Sequence, residues 1–316
     1  GLITPTTLVN DQAGLHLSGT DWYPANDSNV YYGVVTIYQA LQYSLNTVAA
    51  QIVDKLGPQT SYNYLTTKLG FTSLVPADAN YAPMALGQLT NGVTVREMAQ
   101  AYCAFVNDGI FTYGRTYSLV TDFDGNTVID NSPSTISAFK PNTAYTMTYM
   151  MQNAVENGTG KEARLYSVPV AGKTGTSGDY KDRWFCGVTP YYVAAVWTGF
   201  DTPATINVSG NPAAQLWRKV MQPLHDGLEY KAFTYPYIGE NTGIFGIQDT
   251  VYPSNDFDSD TSTGWGTGTN DNNNTIIAPW DDGSTWGNTG NDDLWGNNSS
   301  WGSNDWGSTG GTQYLG

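Results

Sequence analysis

Val170-Ala171-Gly172-Lys173-Thr174-Gly175-Thr176 is the stretch on which the reading of this 316-residue chain turns. Its β-branched and small residues predict a strand running from Val168 to Thr176. Glycine on a strand lets another backbone approach closely. Lys173 brings positive potential to that edge, and the Thr174 and Thr176 hydroxyls can donate to a carboxylate. Taken alone, the tetrapeptide from Lys173 to Thr176 fits a lysine in an ordinary turn as well.

Downstream, Arg183 to Val188 and Tyr191 to Thr198 are again short, β-branched or aromatic, and separated by turn residues. They predict two further strands and an antiparallel meander. Asn211-Pro212 supplies an N-cap and a first-turn proline for a helix through Leu216, Val220 and Leu224. Upstream, Thr143 to Glu156 reads as a helix that Asn157-Gly158 can end. Asp124-Gly125 between two β-rich runs reads as a hairpin turn.

Earlier still, Thr94-Val95-Arg96-Glu97 has capping-box spacing. It opens a helix with Met98, Ala101, Tyr102 and Phe105 inward, ending near Asp108-Gly109. Thr36 starts a short helix through Ile37, Ala40 and Leu41, broken at Ser44-Leu45-Asn46-Thr47. A second helix carries Val48, Ile52 and Val53 to Gly57-Pro58, and a third runs from Pro58 towards Gly70. Residues 1 to about 35 read as loops. Helices, a meander and a closing helix make an α+β domain, an antiparallel sheet flanked by helices, over residues 1–232.

Hydrophobic residues make up 40% of the chain, enough for a sizeable core, and the formal charge is -15. No Lys or Arg follows Lys231, so the acidity belongs mainly to the C-terminal region. No basic stripe suits phosphates, which argues against nucleic acid as a partner. After a linker at 233–256, residues 257–316 are rich in Asn, Asp, Gly, Ser and Thr, with irregularly spaced Trp-Gly pairs. Their sparse apolar content predicts a disordered tail, dispensable for folding, or else a cell-wall adhesive one. Cys103 and Cys186 read as small buried thiols rather than a disulfide. His16 and His225 lack metal-ligand neighbours, so no metal and no cofactor is expected. No run of roughly 18 apolar residues signals a membrane span.

Ser44-Leu45-Asn46 lies between two predicted helices and could merely cap the second. A Ser-x-Asn followed in order by a Lys-Thr-Gly is also part of the motif set of penicillin-binding proteins and serine β-lactamases. The flanking sequence resembles the transpeptidase domain of class A penicillin-binding proteins over roughly residues 1–230. The resemblance rests on Ala40-Leu41-Gln42-Tyr43-Ser44-Leu45-Asn46-Thr47, Asn157-Gly158-Thr159-Gly160 and Ala171-Gly172-Lys173-Thr174-Gly175-Thr176. Asp182-Arg183-Trp184-Phe185 and Val196-Trp197-Thr198-Gly199-Phe200-Asp201 continue it.

That resemblance implies the penicillin-binding, β-lactamase-like fold and an acyl-serine D,D-transpeptidase that cross-links peptidoglycan stem peptides outside the cytoplasm and is blocked by β-lactams. It assigns a proton relay to Ser44, substrate-amide binding to Asn46 and electrostatic support to Lys173. Thr174, Gly175 and Thr176 would form the carboxylate and oxyanion subsite. The family's Ser-x-x-Lys, nucleophile and base, should precede Ser44, and a membrane anchor is likewise expected upstream of Gly1. The Ser-x-x-Lys in the chain, Ser137-Ala138-Phe139-Lys140, stands in the wrong order. A D,D-carboxypeptidase, a β-lactam sensor of the same fold and a non-catalytic wall-binding module are the alternatives. A class A β-lactamase is disfavoured, since no Glu-x-x-Leu-Asn run is present.

Overall fold

The computed structural model describes residues 3–17 and 20–236, together with the backbone of 267–269 and 275–277. Two short strands, β1 (Leu8–Asp11) and β2 (Gly33–Thr36), pair antiparallel. Helices α1 (Ile37–Tyr43), α2 (Asn46–Leu56), α3 (Pro58–Lys68), α4 (Tyr81–Leu86) and α5 (Val95–Cys103) follow. Then come β3 (Ile110–Thr112), β4 (Leu119–Thr121), β5 (Thr127–Asp130) and β6 (Thr135–Ser137), with β3 paired to β6 and β4 to β5. Helix α6 (Pro141–Glu156) leads into the meander β7 (Ala171–Thr176), β8 (Arg183–Val188) and β9 (Val193–Thr198), followed by α7 (Pro212–His225).

The meander is antiparallel throughout, with Lys173 opposite Cys186 and Thr176 opposite Arg183, and β7 lies at its edge. Successive residues of a strand face opposite sides, and both sides are covered. Phe185 turns towards α7, where Trp217 and Met221 pack with Val155, Ala163 and Val170. Ala171 and Val188 pack on the other side with Met151 of α6 and with Tyr102 and Phe105. Lys173 shares that second side, facing the α6 layer. A further cluster of Val9, Val35, Ile37, Ala40, Leu45, Val48 and Met150 joins the first strand pair to α1, α2 and α6.

Residues 1–35 are therefore not all loop. Val9 and Val35 sit opposite each other in the β1–β2 pair and are buried at 0% and 5% exposure. Each strand is only four residues long and is set among Gly, Pro and Asn, so its period-2 signal is short. Helix α5 stops at Cys103 and tightens into a 3-10 turn over Ala104–Val106. Gly109 then turns at φ +80, where a Cβ would lie 2.2 Å from the Phe139 carbonyl oxygen.

Helix α7 forms as its cap and proline predict, with the Asn211 side chain accepting from the Ala213 and Ala214 N–H groups. Its buried stripe is Ala213, Trp217, Met221 and His225, whereas Leu216, Val220 and Leu224 are exposed. Both stripes repeat every four residues, so periodicity does not choose between them. Trp217 decides: its indole lies over Gly187, where no Cβ stands in the way, and donates to the Ala194 carbonyl at 3.0 Å.

Cys186 is buried, Cys103 is half-buried, and both are free thiols. The expected tail lies outside the described residues, except that Thr267–Thr269 and Thr275–Ile277 pair as two antiparallel strands, β10 and β11. Chain contacts divide the protein into two units, Gly1–Thr250 and Val251–Gly316. Among the described residues, no helix is long and apolar enough to cross a membrane.

The capping box at Thr94 grows into a larger knot. Glu97, 3% exposed, accepts from the backbone N–H groups of Thr72, Ser73 and Thr94 and from all three hydroxyls. Burial pushes its carboxyl up, but these bonds outweigh burial and bring its pKa down to about 2 from the usual 4.5. The folded value lies below the unfolded one. The carboxylate therefore stabilises the fold above about pH 4.5, and the contribution is lost as pH falls towards about 2. Glu97→Ala orphans these donors and is expected to lower unfolding free energy by about 2–4 kcal/mol in urea titrations at pH 7. The deficit relative to the parent chain should shrink below pH 4.5; an equal deficit at pH 3 and pH 7 would refute the charge-based account.

Candidate active site

The site begins at a break in the chain. Thr36 and Gln39 form a capping box that starts α1, and the helix ends at Ser44 in a left-handed conformation, φ 60 and ψ 49. Few residues other than glycine take that conformation without cost, and such strain tends to gather where side chains must be aimed. Leu45 alone separates Ser44 from α2, which starts at Asn46.

A buried polar cluster holds this junction. The Asp11 carboxylate, 1% exposed, accepts from Asn26 Nδ2 at 2.7 Å, from the Tyr32 N–H at 2.9 Å and from the Thr47 hydroxyl. Asn26 Oδ1 in turn accepts from the Thr47 N–H at 3.2 Å. Strand β1, the following loop and the first turn of α2 are thereby tied together.

Lys173 reaches that junction from the edge strand. Its Nζ donates to Ser44 Oγ at 2.8 Å and to the Thr174 carbonyl at 3.1 Å. Two side chains 129 positions apart in sequence thus meet directly. Burial lowers the Lys173 pKa from the usual 10.5 to about 8, since its environment disfavours the charged form. Ser44 and Thr176 are exposed, and Thr174 is half-buried. The Thr174 hydroxyl shares a 2.7 Å hydrogen bond with the Thr159 hydroxyl. A Cβ on Gly175 would stand 3.1 Å from the Trp184 Cβ, so a side chain there would crowd the neighbouring strand.

Ser44, Lys173 and Thr174 therefore come together, with Gly175 and Thr176 continuing the same edge. Asn46 is one residue past the junction, and its Nδ2 donates to the Ala25 carbonyl at 2.8 Å. That leaves its second N–H and its Oδ1 for a ligand. Ser137 ends β6 and Lys140 caps α6, both exposed, so they do not stand one helical turn apart. Among the described residues, no group of three or more His, Cys, Asp or Glu side chains could hold a metal. His225 is a core residue, fully buried, with its ring nitrogens 2.7 Å from the Met221 carbonyl and 2.8 Å from the Thr189 hydroxyl.

Sequence reading did not single out Asp11, Asn26, Thr47 or the Thr159 hydroxyl as parts of this site. Asp11 and Asn26 sit in a polar, turn-rich region where such residues are ordinary, and only their burial marks them. Thr159 lies in the Asn157-Gly158-Thr159-Gly160 run, which was legible as a motif but not as a contact.

The penicillin binding protein transpeptidase domain model matches residues 1–222. Penicillin-binding protein 1A of Clostridium botulinum is 40% identical over 235 residues, covering 72% of this chain and 28% of that protein. Penicillin-binding protein 4 of Bacillus subtilis is 37% identical over 204 residues, covering 64% of this chain and 32% of that protein. The chain thus spans about a third or less of the length of these relatives. Among solved structures, the PonA1 protein from Mycobacterium tuberculosis in complex with penicillin V aligns with TM-score 0.64 at 24% identity, covering 77% of this chain and 69% of that one. The D,D-transpeptidase domain of a peptidoglycan glycosyltransferase from Eggerthella lenta aligns with TM-score 0.57 at 22% identity, covering 72% and 62%. With the family model spanning residues 1–222 and the antiparallel meander flanked by helices on both sides, this chain belongs to the penicillin-binding protein transpeptidase family.

Proposed function

We propose that the chain forms the proton-relay and carboxylate-binding side of an acyl-serine D,D-transpeptidase acting on peptidoglycan stem peptides outside the cytoplasm. The observation that carries this reading is the 2.8 Å contact between Lys173 Nζ and Ser44 Oγ, at an edge strand with Thr174 and Thr176 on it. In this reading the nucleophile is the serine of a Ser-x-x-Lys, which the family resemblance places ahead of Ser44; residues 1–43 contain no such run.

In this reading, the nucleophile oxygen bonds to the carbonyl carbon of the penultimate D-Ala, and the C–N bond to the terminal D-Ala breaks. The nucleophile's O–H proton passes to the lysine of its Ser-x-x-Lys, and the leaving nitrogen takes its proton from the Ser44 hydroxyl, which that lysine then reprotonates. The Lys173 ammonium donates to Ser44 Oγ, which leaves the Ser44 proton free to move towards that nitrogen. Thr174 and Thr176 donate to the substrate carboxylate. The Thr176 N–H, on the edge strand, supplies half of the oxyanion hole. Asn46 holds the substrate amide, and an amine of a second stem then takes the acyl group. A β-lactam occupies the same positions, but its leaving nitrogen stays tethered by the opened ring.

The test is made with the Ser-x-x-Lys segment joined ahead of Ser44, using a stem pentapeptide donor and an amine acceptor. Release of D-Ala with formation of a cross-linked product supports the reading. D-Ala release with hydrolysis alone would favour a carboxypeptidase, and no turnover with no β-lactam adduct would refute both.

A pH dependence follows from Lys173. Its ammonium is present below about pH 8, so kcat/KM for an anionic donor is expected to fall as pH rises through that value. Stability moves the other way. The folded pKa is about 8 and the unfolded one near 10.5, so burial of the charge costs stability below pH 8, and the cost fades between the two values. Lys173→Met should therefore abolish the alkaline limb of kcat/KM. It should also raise the thermal midpoint more at pH 7 than at pH 10.

A further inference from the structure

Thr159 is exposed and lies within hydrogen-bond distance of a residue that the proposed reaction uses. Its position is narrowly defined. The Gly158 Cα is so close to α1 that a Cβ would lie 2.3 Å from the Gln42 carbonyl oxygen and 2.9 Å from that of Ala154. The Thr159 N–H points at the same Gln42 oxygen at 3.4 Å. The Gln42 side chain accepts from Asn153 Nδ2 at 2.8 Å and donates to the Asn157 carbonyl at 3.3 Å, and Asn157 Nδ2 donates to Asn153 Oδ1 at 2.8 Å. Gln42 precedes Ser44 by two residues. The end of α6 is thus clasped to the end of α1, and Thr159 extends from the clasp to the edge strand.

We propose that Thr159 is a positioning residue that orients the Thr174 hydroxyl for the carboxylate of the substrate, an inference that rests on the function proposed above. The argument is hydrogen counting. The two hydroxyl oxygens stand 2.7 Å apart, and either could donate to the other. A hydroxyl has one proton to give and can accept two. A carboxylate accepts only, so Thr174 can bind it only by donating. The proton between the two residues must then come from Thr159. Thr159 donating to Thr174 Oγ1 polarises the Thr174 hydroxyl and turns its proton outward, which strengthens the bond to the anion. Val at position 159 keeps the shape but gives no proton, whereas Ser keeps the proton.

The experiment uses the protein with its Ser-x-x-Lys segment, benzylpenicillin, and benzylpenicillin methyl ester, which lacks the anion. The second-order acylation rate is measured for the parent, Thr159→Val and Thr159→Ser, together with thermal midpoints. Thr159→Val is expected to slow acylation by benzylpenicillin about tenfold, within the range for one hydrogen bond supporting a charged acceptor. Acylation by the methyl ester should stay unchanged, and Thr159→Ser should restore most of the loss. An equal loss with both compounds would make Thr159 a structural residue of the clasp and overturn the inference, as would no loss with either. A parent protein that labels with neither compound would instead remove the function on which the inference rests.

Discussion

Mixed with a fluorescent penicillin and run on a denaturing gel, the 316-residue chain is expected to carry no covalent label. Acyl transfer needs an oxygen nucleophile with a base beside it, and positioning does not replace it. Loss of the nucleophile in serine hydrolases lowers turnover by on the order of 10⁶. In this chain the Ser-x-x-Lys at Ser137 puts its serine on a strand and its lysine at a helix cap. Ser44 is left as the serine facing Lys173, and the proposed function gives it the part of a relay. Joining the Ser-x-x-Lys segment ahead of Ser44 is expected to restore stoichiometric labelling. Labelling of the 316-residue chain that disappears in Ser137→Ala would overturn the rejection of Ser137; labelling that disappears in Ser44→Ala would make Ser44 the nucleophile.

In the labelling-competent protein, Ser44→Ala and Lys173→Ala are each expected to slow acylation by roughly 10²–10⁴, the range for a positioned proton-transfer group. Ser44→Ala removes the hydroxyl that, in the proposed reaction, hands its proton to the leaving nitrogen. Lys173→Ala removes the charge held 2.8 Å from that hydroxyl. Because the two act through one contact, the double variant should be little slower than the worse single one, whereas independent groups would multiply their losses. Stopped-flow acylation of the four proteins measures this. Multiplicative losses would mean that the contact is structural and that the two groups serve separate steps.

Much of this arrangement was legible in the chain. Thr94 with Glu97, Asn211 with Pro212 and Gly57 with Pro58 each carry their meaning locally, since a cap or a stop is made by residues within one turn. The three strands after Val168 announced themselves by composition, and their order along the chain is their order in the sheet. The meeting of Ser44 with Lys173 was expected from the joint presence of Ser-x-Asn and Lys-Thr-Gly, which a resemblance supplied. Periodicity carried no such information.

Other features depended on partners distant in sequence. Leu216, Val220 and Leu224 have the same spacing as the stripe that is buried, and the choice was made by the indole of Trp217 against Gly187 on another strand. Glu97 looked like a capping residue, yet it also gathers Thr72 and Ser73. Asp11 is one acid among many in the sequence, and it became the support of α2 through Asn26, Tyr32 and Thr47. The sequence by itself determined the longer helices with their caps, the meander and the family, because these depend on residues close along the chain or on a recurring motif; the four-residue strands β1 and β2 escaped it. Only the tertiary structure decided which face of α7 is buried, how far the Lys173 pKa falls and that Thr159 reaches Thr174. Packing, desolvation and a hydroxyl contact between the segment after α6 and strand β7 depend on distances in space that spacing along the chain does not encode.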